Sequence, residues 1–425
     1  MILKEKISQL TEWLLVAFAF AIPISTALDS ILLLILLLLW VLGGDYRLKF
    51  SRIFSNPVSM ASLILFGVMM VGFTYGVMNK SALSDTARFL VLPILLSLFT
   101  RQTNRNVILG GFLSATVLAL LFSYLLWSEI FPSNIMIKEG LSLRFLGKPD
   151  DPFVFHRHIV YSIFMSYAAF CFIVLGKFEE KPFRKSLFFL LSLLMIGNIL
   201  ILVQGKTGQV ILLILLGYLS WAFFRWRGVV IGTVTITILV GTSYFIFPKA
   251  TSLQWISPVA RVISQWQSAV RHEIPPPSTV RKVRHDLSTV LRMDFYYNSS
   301  QIFLQNPIFG VGTGGFPEAY AKQVSGTGQV RTVNPHNQYL LVGVETGMIG
   351  ILALLYLFFT QWRHSLILCD KKRLLAQGML LTIIISCLFN SSLADHSEST
   401  FYLLMSALFF SQTRSADRQE NALTS

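Results

Sequence analysis

Apolar residues run in blocks of about twenty through most of the chain, separated by short polar connections. A block of that length, coiled as an α-helix, matches the hydrocarbon thickness of a bilayer. Twelve spans are predicted, at about 11–28, 30–44, 58–78, 84–100, 105–127, 156–176, 185–203, 207–224, 228–247, 337–360, 374–391 and 399–413. The pattern therefore predicts an all-α fold, a polytopic transmembrane helical bundle. Residues 1–247 hold nine spans, 337–413 hold three, and 414–425 form a tail; 248–336 is one long loop. The first block follows Lys4 and Lys6 as in a signal peptide. The second starts almost at once, at Ser30, so the pair reads as an uncleaved hairpin.

Composition agrees with this pattern. The chain is 54% hydrophobic and only 13% charged, where a soluble protein carries about a quarter charged residues. A net charge of +14 could point to nucleic acid. The basic residues, however, gather in alternate short connections, such as Arg47, Lys49 and Arg52, then Lys177, Lys181, Arg184 and Lys185, then Lys371, Lys372 and Arg373. That is a topology signal: it predicts both termini in the cytoplasm and membrane lipids, not nucleic acid, as partners. Cys171, Cys369 and Cys387 have no paired spacing and read as small hydrophobes, with no zinc site and no disulfide framework.

The same rule puts the 248–336 loop outside. Pro275-Pro276-Pro277 divides it. Before the break, Trp255 to Trp266 could lie on the membrane surface. After it, 284–305 reads as an amphipathic helix with Leu287, Leu291, Phe295 and Ile302 on one face. Arg292 lies on another side, with Ser288 and Tyr296 one turn away. The glycine-rich run Gly310-Val311-Gly312-Thr313-Gly314-Gly315 reads as a tight turn, with an anion-binding nest as the alternative.

Candidate chemistry centres on Asn334-Pro335-His336-Asn337. Asn334 is expected to cap the tenth span and Pro335 to open it, which sets His336 in the first helical turn at the water–membrane boundary. The helix dipole there disfavours imidazolium, leaving a neutral ring suited to a general base. The bland alternative is a polar cap. Glu345, two and a half turns on, is expected in a polar network on the opposite side, and Gly343 and Gly347 in a close helix contact. Arg88 and His156-Arg157-His158 sit at the same depth, as snorkelling residues or as a cavity wall. Asp395, His396 and Glu398 read as a solvated loop cluster.

These residues resemble a family. Leu291-Arg292-Met293, then Asn306-Pro307-Ile308-Phe309-Gly310-Val311-Gly312, then Pro335-His336-Asn337 and Glu345-Thr346-Gly347, after a polytopic start and in a long late loop, are similar to the bacterial O-antigen ligases and O-antigen polymerases. The resemblance implies a metal-independent glycosyltransferase without cofactor, acting at the periplasmic face of the bacterial inner membrane in lipopolysaccharide biosynthesis. Its donor is a glycan on undecaprenyl diphosphate; a ligase places that glycan on the lipid A–core oligosaccharide, a polymerase on another lipid-linked repeat. It also implies His336 as catalytic base and Arg292 as a diphosphate ligand; Arg88 and Arg157 are further diphosphate-binding candidates from their depth alone. A family arginine before the eighth span is replaced by Lys206, which keeps the charge and loses the bidentate fork. A protein O-oligosaccharyltransferase of the same superfamily, and a transporter or flippase of another class, remain the alternatives.

Overall fold

The computed structural model describes residues 2–100, 103–130, 146–228, 230, 232, 234 and 287–411. Helices α1 (Ile2–Ala21) and α2 (Thr26–Leu42) form a hairpin, and α2 turns through 116° into α3 (Tyr46–Ser55). Then come α4 (Pro57–Gly72), α5 (Lys80–Leu98) and α6 (Arg105–Trp127). A small antiparallel β-hairpin, β1 (Leu146–Lys148) with β2 (Asp151–Val154), leads into α7 (His158–Phe178). Helix α8 (Pro182–Gly197) ends in a wide turn at Asn198–Leu202, and α9 (Lys206–Phe224) follows. The second half holds α10 (Leu287–Gln305), α11 (Phe316–Gln323), α12 (Gln338–Ser365), α13 (Asp370–Phe389) and α14 (His396–Phe410).

Asparagine starts many of these helices. Asn56, Asn79, Asn104 and Asn337 each accept a backbone N–H from the first turn through the side chain. Such a cap is worth about 1 kcal/mol, and more where no water can replace it.

The core forms around α7, which is buried along most of its length. Phe401 of α14 packs its ring 5.3 Å from Phe112, Phe164 and Tyr167. By contrast, α8 turns Phe183, Leu190 and Leu193 outward, as expected of a helix whose outer face meets lipid tails.

Seven described helices are long and apolar enough to cross a membrane, or eight if α2 and α3 form one broken span. Eleven of the twelve predicted blocks fall on described helices, but the apolar parts of α1 and α4 and the fifteen residues of α14 are short. The block at 228–247 lies almost wholly outside the described residues, as do Trp255–Trp266 and the triple proline.

One helix differs here from the sequence reading, while the glycine-rich run forms the expected turn. Helix α12 is not continuous: Gly347 has φ +66° and ψ −160°, a conformation essentially confined to glycine. The chain at Ile308 presses against it, so close that a Cβ there would lie 2.1 Å from the Ile308 carbonyl oxygen. Gly347 therefore makes a break and a contact with the loop, not a helix seam. Gly343 instead lies beneath Phe303 of α10. The glycine-rich turn is tied to α12 through the backbone: Val311 N–H donates to the Val344 carbonyl and Gly312 N–H to the Glu345 carbonyl, each at 2.8 Å. Glu345 is buried, and its backbone carbonyl helps to anchor the loop.

Candidate active site

Helix α10 brings the loop to the bundle. Phe295 and Ile302 are buried with Phe316, Tyr320 and Val344, in a small core separate from the main one. That leaves the face of Arg292 and Tyr296 toward the start of α12. Tyr296 donates its hydroxyl to the carbonyls of His336 (3.1 Å) and Leu388 (3.2 Å). Residues four apart on a helix are neighbours, so this tether also sets Arg292 beside His336.

His336 itself is not in the helix. The cap is Asn337, whose side chain accepts from Leu340 N–H at 3.0 Å, and His336 precedes it with φ +54°. Both asparagines suit a cap, and tertiary contacts choose between them. Asn334 is recruited elsewhere, accepting from the His336 N–H (2.7 Å) and the Ser391 hydroxyl (2.7 Å). The turn between α13 and α14 grips this segment from behind: Leu393 N–H donates to the Gln338 side chain at 3.0 Å, and Asn337 donates to the Leu388 carbonyl at 3.0 Å.

The imidazole is half-buried and stacks on Phe295, with ring centres 6.1 Å apart. Burial pushes its pKa below the ordinary value of 6.5, the Arg292 charge pushes the same way, and a hydrogen bond with the Asn390 side chain opposes them. The ring is therefore neutral at pH 7, as the sequence reading expects. The cause differs: burial and a guanidinium keep it so, not a position inside the first helical turn.

Arg292 lies within electrostatic reach of two histidines, His336 and His158. His158 opens α7, where its Nδ1 is 3.9 Å from Asp151 of β2. Asp151 also accepts the Gln204 N–H at 2.9 Å, which draws in the turn before α9. Burial raises the Asp151 pKa, and the Gln204 hydrogen bond and His158 restrain that rise. Lys206 is the first residue of α9 and exposed. Its backbone comes this close because Gly205 and Gly208 let α9 lie against Ser162; a Cβ on Gly208 would sit 2.4 Å from the Ser162 Cβ. His336, Arg292, His158, Asp151 and the Lys206 turn thus form one neighbourhood, with exposed Arg157 at its edge.

Arg88 is placed differently. Its guanidinium donates to the Leu393 carbonyl at 3.0 Å and pairs with Asp85 at 3.1 Å, so it braces the turn behind His336. The cluster read as solvated is largely enclosed. Glu398 is fully buried, Asp395 caps α14 through the Ser397 and Glu398 N–H groups, and His396 lies 2.7 Å from the fully buried Asp29. His156 is buried too, hydrogen-bonded to the Ile22 carbonyl at 2.8 Å. Sequence reasoning missed Asn390, Phe295 as a stacking partner, and the Asp151–His158 pair. Asn390 follows an apolar run at a point with no local signal, and only the fold sets it against a histidine 54 positions earlier. A cavity of about 440 Å³ lies elsewhere, lined by Glu12, Asp45, Lys49 and Arg52 and by none of these residues.

A bundle of apolar helices with a polar, histidine- and arginine-bearing entrance defines a multi-pass membrane protein with a candidate acid–base site. The family model described as O-antigen ligase matches residues 189–355, the stretch that carries Lys206, Arg292 and His336. This match places residues 189–355 in the O-antigen ligase superfamily. The chain is also similar to a Haemophilus influenzae (strain ATCC 51907 / DSM 11121 / KW20 / Rd) protein described as "Uncharacterized protein". The two are 25% identical over 239 residues, 54% of this chain and 57% of that protein. The chain thus spans little more than half the length of that relative.

Proposed function

We propose that this protein is an O-antigen ligase, moving a glycan from undecaprenyl diphosphate to a hydroxyl of the lipid A–core oligosaccharide. The observation that supports the reading is the Tyr296 hydroxyl donating to the His336 carbonyl at 3.1 Å, one helical turn from Arg292 and within the segment that matches the family. In this reading the chain makes twelve spans of the inner membrane, with both termini cytoplasmic. The 248–336 loop and His336 are periplasmic.

The reaction is a displacement at the anomeric carbon. His336 accepts the proton of the attacking acceptor hydroxyl as the new glycosidic bond forms, and the anomeric carbon–oxygen bond to the diphosphate breaks. The lipid diphosphate leaves with the bonding pair. Arg292 stabilises the developing negative charge through its planar fork of donors, and Lys206 adds a point charge. Arg157 faces the same entrance from the start of α7 and gives the diphosphate a second guanidinium. Arg88 acts at one remove, by holding the turn behind His336. A site near pH 7 needs no metal for this chemistry, because the diphosphate is already a good leaving group.

Reconstituted transfer tests the reading. Purified protein in liposomes, given a defined undecaprenyl diphosphate glycan and purified lipid A–core, is expected to yield glycosylated core. His336→Ala is expected to reduce the rate by about 10²–10⁴-fold, the usual cost of losing a general base. Extension of a second lipid-linked repeat instead of the core would make the protein a polymerase. Transfer to a polypeptide would make it a protein O-oligosaccharyltransferase. Lipid-linked glycan crossing the bilayer without transfer, undiminished in His336→Ala, would make it a flippase.

A further inference from the structure

At the end of the bundle away from His336, α2 turns into α3 beside the cavity of about 440 Å³. Helix α5 shows the separation. Arg88 braces the turn behind His336, whereas Ser97, nine residues on and about 14 Å along the axis, lines the cavity.

Helix α3 has the marks of a helix lying in a membrane surface. Tyr46, Phe50 and Phe54 recur at every fourth position, so they share one face, and all three are exposed. Trp40 of α2 joins the row, its ring centre 6.1 Å from those of Tyr46 and Phe50, and Phe50 stacks on Phe54 at 6.2 Å. Trp and Tyr gather where lipid tails meet headgroups. Lys49 and Arg52 lie off that row and line the cavity. Helix α2 is apolar and exposes Leu38 and Leu42. An apolar helix that bends by 116° into an amphipathic one sets the cavity in their elbow at headgroup depth.

The lining carries both signs of charge. Lys49 and Arg52 come from α3, Asp45 from just before it, and Glu12 from α1. Each cation is pinned by one bond to a backbone carbonyl. Lys49 donates to Trp40, using one of three donors, and Arg52 to Ser97 at 3.2 Å, using one of five. One Glu12 oxygen accepts the Asn104 N–H at 2.6 Å. The charges are therefore held in place by the fold. Two cations and two carboxylates suit neither a lone anion nor a lone cation; they complement a ligand that carries both signs.

We propose that this cavity binds the headgroup of a phospholipid with a phosphate and a primary ammonium, a phosphatidylethanolamine. The phosphate sits against Lys49 and Arg52, the ammonium against Glu12 and Asp45, and the tails run along Leu38 and Leu42. A choline headgroup has no N–H to donate to the carboxylates. A glycerol headgroup brings only the negative charge, which Glu12 and Asp45 oppose. This site is separate from the proposed transfer chemistry and does not depend on it.

Native mass spectrometry of the full-length protein in detergent tests the proposal. The protein is titrated with phosphatidylethanolamine, phosphatidylcholine or phosphatidylglycerol of identical acyl chains. Wild type is expected to bind one phosphatidylethanolamine about tenfold more tightly than either other lipid, the worth of about one charged hydrogen bond. Arg52→Gln is expected to weaken that binding about tenfold, and Glu12→Gln to abolish the preference over phosphatidylglycerol. If Arg52→Gln does not fold, Lys49→Gln carries the same expectation, and the comparison of lipids on wild type stands without any variant.

Equal affinity for the three lipids overturns the proposal, as does a preference for phosphatidylglycerol, which would mark a site for an anion alone. Unchanged binding by folded Arg52→Gln overturns it too, because the bound lipid would then lie elsewhere. Displacement of the lipid by an equal concentration of soluble phosphoethanolamine would show a site for the free compound and overturn the assignment to a lipid.

Discussion

The Tyr296 hydroxyl donates to the carbonyl oxygen of His336 at 3.1 Å, joining a loop helix to the start of a bundle helix forty residues later. The same hydroxyl reaches Leu388 at the end of α13. Three separate elements therefore meet at one side chain, and that meeting sets the distance between Arg292 and the imidazole.

Removing the hydroxyl should loosen the junction without emptying it. Tyr296→Phe is expected to cost about 1 kcal/mol, as each net hydrogen bond contributes about 0.5–1.5 kcal/mol. Limited proteolysis within 287–336 should become faster than in wild type. An unchanged cleavage rate would show that packing of Phe295 and Ile302 alone holds α10 in place.

The pH profile follows from the two causes acting on His336. Its folded pKa is below 6.5, so the neutral ring dominates above that value and is lost as pH falls through the lower, folded pKa. The stabilisation tied to the neutral form runs the same way: present above 6.5, lost in acid. Arg292→Gln removes one of the two depressing causes, so the acid limb of the kcat profile should move to higher pH. A limb that moves to lower pH, or not at all, would mean the guanidinium does not face the ring in solution.

Lys206 is expected to act as a point charge on the donor. Lys206→Arg should keep at least wild-type activity, since the fork suits a phosphate. Lys206→Ala should raise KM for the lipid diphosphate severalfold with little effect on kcat. If alanine is silent in both, Lys206 does not touch the donor.

Gly347→Ala should be among the most damaging single changes in this region. Its backbone lies at φ +66°, ψ −160°, and the added methyl would meet the Ile308 carbonyl at 2.1 Å. Strain alone costs about 1–3 kcal/mol. The expected outcome is a lower Tm or poor yield in detergent, and a wild-type Tm would contradict the break in α12.

The helices and their membrane character were legible in the chain because they depend on local quantities. Apolar block length and period act within a few residues, so the 105–127 block coincides with α6 without any partner. Arg292 and Tyr296 could be put on one face of α10 by the same arithmetic. His336 stood out because an imidazole beside Pro335 and two asparagines is chemically conspicuous.

What the chain could not say is which groups satisfy one another across long separations. Asn334 and Asn337 have equal capping chemistry, and only contact with Ser391 assigns the first to a turn and the second to the cap. The glycine-rich run could be read only as a turn, and the fold ties it to α12 through the Gly312 N–H and the Glu345 carbonyl. Glu398 looked like a surface carboxylate until packing enclosed it behind Asn390. Local sequence determined the helices because each helix closes its own backbone hydrogen bonds. Tertiary structure decided the site because groups such as Tyr296, Asn334 and Gln338 are completed by residues from other elements.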